Sequence, residues 1–196
     1  MKDIIKNKVV ENERGGIDMS FLELAQKRRS LRSYLPDPVE QEKLEYVLEC
    51  ARLAPSWKNL QCWRFIVVED EALRQELTTA YAETNPGRKA LLQAPLIVVL
   101  CGVPAESEIW EGKDYMMLDA GLAMEHLILA AAEQGLGTCW QGLFAEDKVR
   151  EILKVPENVR VLAMTPLGYP AEERKPRPRK EMSQIVFKGT WGSGNA

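Results

Sequence analysis

Short strands alternating with helices that outweigh them predict an α+β fold, or a near α/β variant, on one mixed sheet. Three observations lead there. Trp63–Val68 (WRFIVV) and residues 96–101 (LIVVLC) are short, apolar, β-rich runs. Residues 115–134 are a much longer apolar stretch with helical spacing. The chain has 196 residues, 45% of them hydrophobic and 28% charged, which suits a single domain with a sizeable core.

The elements follow in order. Residues 1–18 (MKDIIKNKVVENERGGID) are charged and broken by Gly15-Gly16, and read as a flexible N-terminal tail. Ser20 looks like an N-cap, with FLELAQKR after it as a short helix. Asp37, then Pro38, then Glu40 signal a second helix start. Leu44, Val47, Leu48 and Ala51 form its apolar stripe, and Pro55 stops it. Residues 71–82 read as a helix ending before Asn85-Pro86-Gly87. LIVVLC is apolar throughout, as in a central strand covered on both faces. Residues 102–112 look irregular. The helix over 115–134 is apolar on most sides, which predicts burial in a core or an interface, with Gly135 at its end. Residues 137–144 form a brief strand or loop, 146–153 a small helix and 159–167 a last strand. After Gly168-Tyr169-Pro170 the arm RKPRPRK cannot bury much alone and is expected to lie on something else.

Composition excludes several classes. No apolar run approaches the roughly 18 residues of a membrane span, and no signal peptide is expected, so the expected compartment is the cytoplasm. Four spaced cysteines and one histidine give no metal-ligand pattern. A net charge of −3 draws no nucleic acid. His126, the sole histidine, lies within the apolar helix and reads as a core or interface residue, so no base is at hand for a nucleophile. Neither a P-loop nor a Rossmann fingerprint is present.

Two features remain. Arg28-Arg29-Ser30-Leu31-Arg32 offers three guanidinium groups and a hydroxyl, as a phosphate wants, although a solvated basic turn has the same composition. Pro55, Ser56, Asn59 and Gln61 lie where a helix passes into a strand. The Ser56 hydroxyl and the amides of Asn59 and Gln61 suit the edge of a flavin or a base, and equally a plain polar loop.

RRSLR, PSWKNLQCWRF, AGLAMEHLILAAAEQGLGTCWQG and LGYPAEERKPRPRK occur in this order, and together resemble the FMN-dependent nitroreductase family from about residue 21 to about 180. The resemblance implies a nitroreductase-like fold, with a central mixed, largely antiparallel sheet flanked by helices, in an intertwined homodimer. It implies a catalytic domain over 19–170 and an arm over 171–196 packed on the partner. FMN would lie at the subunit interface, with NADH or NADPH as reductant and a small-molecule electron acceptor. Arg28 and Ser30, with Arg29 beside them, would hold the phosphate and ribityl chain, and Arg32 would sit nearer the ring. Arg179, and less directly Arg177, would close on the phosphate. Pro55, Ser56 and Asn59 would contact the flavin from the partner subunit, and Gln61 would also belong to the cofactor site. Trp140, Gln141 and Gly142 would line the other side of the ring.

The cofactor would carry the chemistry, which accounts for the missing acid–base pair. The resemblance leaves other reactions open on the same fold: reductive dehalogenation, flavin fragmentation, substrate dehydrogenation, or flavin sensing without turnover. Cys62 stands where many relatives have proline, as a redox-sensitive thiol or a small buried hydrophobe. Trp57, Trp110 and Trp191 would wall the pocket or pack in the interface.

Overall fold

The structure, a computed structural model, describes residues 19–193, so the expected tail over 1–18 and the last three residues of the arm lie outside the described residues. Helix α1 (Phe21–Lys27) starts where Ser20 predicts. The Ser20 hydroxyl accepts from the Glu23 N–H at 3.3 Å, and the Glu23 carboxylate accepts from the Ser20 N–H at 2.8 Å. Helix α2 (Gln41–Arg52) starts later than the Asp37-Pro38 signal, with Glu40 at its N-cap. Tertiary pairing overrides the local signal. The Leu35 N–H donates to the Tyr169 carbonyl at 2.9 Å, and the Tyr169 hydroxyl donates to Glu40 at 2.6 Å, which keeps the intervening chain extended.

Strand β1 (Trp63–Val68) follows, then helix α3 (Glu71–Leu77), capped by Asp70 and closed by a 3₁₀ turn over Thr78–Ala80. The expected helix over 71–82 is thus shorter. Helix α4 (Gly87–Gln93) has no counterpart in the sequence reading. Strand β2 (Leu96–Gly102) is fully buried, as its continuous apolarity requires. The segment expected to be irregular carries a hairpin of β3 (Ile109–Trp110) and β4 (Lys113–Asp114). Its turn residues Glu111 and Gly112 both have positive φ, which matches the twist of paired strands. Helix α5 (Tyr115–Glu133) ends before Gly135, whose φ is +75°. Strand β5 (Gly137–Thr138), helix α6 (Glu146–Leu153) and strand β6 (Arg160–Gly168) complete the described elements.

The sheet order is β1-β2-β6-β5 with every strand pair antiparallel, and Ser30 adds an isolated parallel bridge to Thr138. Alternation along β2 builds two cores. Leu96, Val98 and Leu100 face α2 and α5, whereas Ile97, Val99 and Cys101 face α3 and α6. Opposite Leu100 and Cys101 stand Ala163 and Val161, so Leu162 is an extra residue that bulges β6 and keeps both faces apolar.

Helix α5 does meet the length and hydropathy of a membrane span, contrary to the expectation from sequence, but half of it is buried within this fold. Ala120, Ala123, Met124 and Leu127 pack into the core, while Met117, Leu118 and Leu122 stay 51%, 54% and 44% exposed. Expected to be covered on most sides, it is covered on one within a single chain. His126 is half-buried with Nδ1 3.2 Å from the Cys50 carbonyl, at the α2–α5 seam. Cys62 is fully buried, and burial pushes its thiol up, as for a small hydrophobe.

One charged cluster ties α6 to β6. Glu146 accepts from Arg160 at 2.8 and 2.9 Å, from Arg150 at 3.1 Å and from the Val161 N–H at 3.0 Å. The Arg160 bond, chiefly, holds its carboxyl below the usual range. The stabilisation is complete above the ordinary carboxylate pKa and is lost as pH falls through the lowered folded value. Glu146→Gln therefore flattens the acid limb of a stability-against-pH curve measured by urea unfolding. A mutant with the wild-type acid slope would contradict this.

Candidate functional site

After α1 the chain runs extended along the open edge of β5. The Leu31 N–H donates to the Thr138 carbonyl at 2.9 Å, and Leu31 and Tyr34 are buried. The C-terminal arm is drawn to the same place. The Ala171 N–H donates to the Ser33 carbonyl at 3.0 Å, Arg29 Nε donates to the Arg174 carbonyl at 3.2 Å, and Glu172 accepts from the Arg32 N–H at 2.8 Å. Residues distant in sequence thereby share one cavity of about 740 Å³, lined by Arg28, Arg29, Ser30 and Arg32 with Arg174, Lys175, Arg177 and Arg179. Among the described residues no carboxylate lines it. Arg174 is paired with Glu172 at 3.0 Å and the arm's cations are exposed, so the cluster is solvated as it stands and offers its guanidinium groups to an anion. A phosphate dianion, which guanidinium forks grip in pairs, fits.

A second cavity of about 750 Å³ adjoins, and Arg32 lines both. Its walls include Tyr81, Asn85, Trp140, Gln141, Gly142 and Phe144. Gln141 is fixed by a reciprocal backbone pair with Met164, at 2.8 and 2.9 Å. Its side chain is 8% exposed, and neither Oε1 nor Nε2 has a hydrogen-bond partner among the described residues. The Tyr81 hydroxyl, in a residue 5% exposed, also lacks one. Each unsatisfied buried group costs on the order of 1–3 kcal/mol, which the fold alone does not recover. The 85–87 turn covers the amide so closely that a Cβ on Gly87 would meet Gln141 Oε1 at 2.6 Å. The donor set suits a planar, hydrogen-bonding head whose anionic tail reaches the arginines.

The remaining four expected residues stand apart. Pro55, Ser56, Asn59 and Gln61 line neither cavity. Their loop is held in an unusual backbone state: Lys58, Asn59 and Gln61 have φ of 48°, 57° and 52°. The Ser56 hydroxyl accepts from the Gln61 N–H at 3.0 Å, and Trp57 stacks on Tyr115 with ring centroids 4.0 Å apart. The Trp57 N–H donates to both carboxylate oxygens of Asp119, at 3.0 and 3.1 Å. Trp57, Trp110 and Trp191 wall neither cavity, and Trp191 is 91% exposed.

Sequence reasoning missed Tyr81 and Asp119 and left Arg174 and Lys175 unassigned. Asp119 carried a readable signal, being an acid in step with the buried Met116, Ala120 and Ala123 of α5. Tyr81 carried none, because its orphaned hydroxyl is a property of packing.

An antiparallel α+β sheet whose edge supports a cationic cavity opening beside a polar, aromatic-walled one defines a protein built for a phosphorylated, planar cofactor. The Nitroreductase family model matches residues 25–169. A nitroreductase family protein of Clostridium novyi NT is 37% identical, with 89% of this chain and 96% of that one covered and a TM-score of 0.75. An FMN-dependent nitroreductase of Clostridium difficile R20291 is 32% identical, with 87% and 99% covered and a TM-score of 0.75. An NADH dehydrogenase of Thermus thermophilus is 31% identical, with 83% and 93% covered. The chain belongs to the nitroreductase family. It is a flavin-dependent NAD(P)H oxidoreductase whose cofactor is FMN.

Proposed function

We propose that the protein reduces small electrophilic acceptors, such as nitroaromatics or quinones, by a ping-pong reaction in a cytoplasmic homodimer with FMN at the subunit interface. The convergence of Arg28, Arg29 and Arg32 with Arg174, Arg177 and Arg179 on one cavity carries this reading. FMN, when bound, supplies hydride acceptance from NADH or NADPH and electron donation to the acceptor.

The chain's own residues bind and orient. Arg28, Arg29, Ser30, Arg177 and Arg179 hold the phosphate and ribityl chain. Arg32, bordering both cavities, places one positive charge toward the ring, where it favours the electron-rich form. Trp140, Gln141 and Gly142 support the ring, and the buried amide of Gln141 finds there the polar partner it lacks within the chain. Pro55, Ser56, Asn59 and Gln61 serve the partner's site, consistent with their distance from their own chain's cavities. Residues 19–170 form the catalytic unit, and the arm after residue 170 closes over the phosphate before packing on the partner.

The visible spectrum of the freshly purified protein is the test. A flavin band, released on denaturation as FMN, bleaches with anaerobic NADH or NADPH and returns on adding a nitroaromatic or quinone. Parallel double-reciprocal plots accompany turnover. Colourless, folded protein that takes up no added FMN overturns the proposal.

A further inference from the structure

We infer that Asp119 is a positioning residue acting in trans: from α5 of one protomer it fixes the loop over residues 56–61 that completes the partner's flavin site. This rests on the shared site proposed above.

The loop is strained, and its own bonds, from the Asn59 N–H to the Ser56 carbonyl at 3.1 Å and from the Gln61 N–H to the Ser56 hydroxyl at 3.0 Å, hold only part of its shape. Lys58 and Gln61 in left-handed backbone each cost on the order of 1–2 kcal/mol, Asn59 less, and such residues persist only when surroundings impose them. On its outer side the loop is tied by the Lys58–Glu108 ion pair at 2.9 Å, which is half exposed and contributes little. On its inner side the tie is Asp119, 3% exposed, with both oxygens on one backbone N–H.

For the fold alone, Asp119 is an expensive choice. No cation pairs with it among the described residues. Burial raises its pKa, and the Trp57 bond only opposes that. Its neighbours on the same helix face are apolar, so an apolar side chain would pack there without the desolvation cost. What the carboxylate adds, besides a weak contact from the Cys62 thiol at 4.0 Å, is a fixed Trp57 amide, and with it the placement of Ser56, Asn59 and Gln61. The side chains of Asn59 and Gln61 are exposed and turned toward neither cavity of their own chain. That leaves them free to face a flavin held by another copy, as the shared site proposed above requires. The uncovered Met117, Leu118 and Leu122 of α5, beside Asp119 in sequence, give that copy an apolar surface to lie on.

Subunit complementation tests this. The Asp119→Ala homodimer binds FMN at least tenfold more weakly than wild type in a fluorescence titration. Asp119→Asn, which keeps one acceptor oxygen, falls between the two. A heterodimer of one Arg28→Ala chain and one Asp119→Ala chain is then purified through two different tags. Acting in trans, the two lesions fall in one site and leave the other intact. The heterodimer retains one tightly bound FMN after desalting, counted by flavin absorbance against protein, where each parent homodimer retains essentially none. A heterodimer as poor as its parents places both lesions in separate sites and overturns the inference, as does wild-type FMN affinity in folded, dimeric Asp119→Ala or Asp119→Asn. Wild-type protein that takes up no FMN overturns the flavin reading itself, and the inference with it.

Discussion

Arg28→Ala lowers FMN affinity by roughly 10- to 100-fold, the loss of one desolvated charge-assisted contact of about 1.5–3 kcal/mol. Arg28 projects from the end of α1 into the cation-lined cavity, and α1 buries no side chain of its own, so the substitution removes a ligand contact without opening the core. Arg179→Ala acts on the same cavity from the other end of the chain and weakens binding in the same direction. Riboflavin provides the internal control. It shares the ring and lacks the phosphate, so the penalty measured with FMN by fluorescence titration shrinks towards unity. An equal penalty for both flavins would place Arg28 away from the phosphate. Arg28→Lys restores the charge but not the planar fork, and recovers only part of the loss.

Gly168→Ala lowers stability by about 1–3 kcal/mol, from overpacking against a group that cannot give way. An added Cβ would stand 2.4 Å from Pro95 Cδ, 3.0 Å from Pro95 Cγ and 3.5 Å from Tyr34 Cδ1. The proline ring has no rotamer to adopt, and Tyr34 is 4% exposed with its hydroxyl on the Leu31 carbonyl at 2.6 Å. Strain there reaches the site, because Gly168 pairs with Gly137 and the chain continues through Tyr169 into the arginine arm. For a domain of this size, each kcal/mol corresponds to about 2–4 °C of melting temperature. A variant melting within about 1 °C of wild type, followed by circular dichroism, would show that the backbone shifts at little cost.

How much of this could be read beforehand depended on the range of the governing force. The limits of α6 match the expected 146–153, and β1 matches Trp63–Val68, because periodicity and breakers are local. The start of α2 was misplaced because Tyr169, far along the chain, decides it. Helix α4 escaped notice because it is short and opens on Pro86 and Gly87, residues that in isolation read as a turn. In the site, the arginine clusters were legible as charge, and their union in one cavity required the β5 edge to bring α1 and the arm together. Asp119 was legible as an acid on an apolar helix face, but its bond to Trp57 was not, and Tyr81 was invisible because its significance lies in which bonds the finished packing leaves it.

One residue, Arg32, forms part of the wall of both cavities. With FMN seated as proposed, grip on the cofactor's tail and the ease with which its head accepts electrons would not be independent dials. Evolution, or an engineer, can loosen retention through Arg28 or Arg179 and leave redox poise nearly alone. A change at Arg32 would then trade one property against the other, so the driving force of this protein would be tuned around the ring rather than at this shared corner.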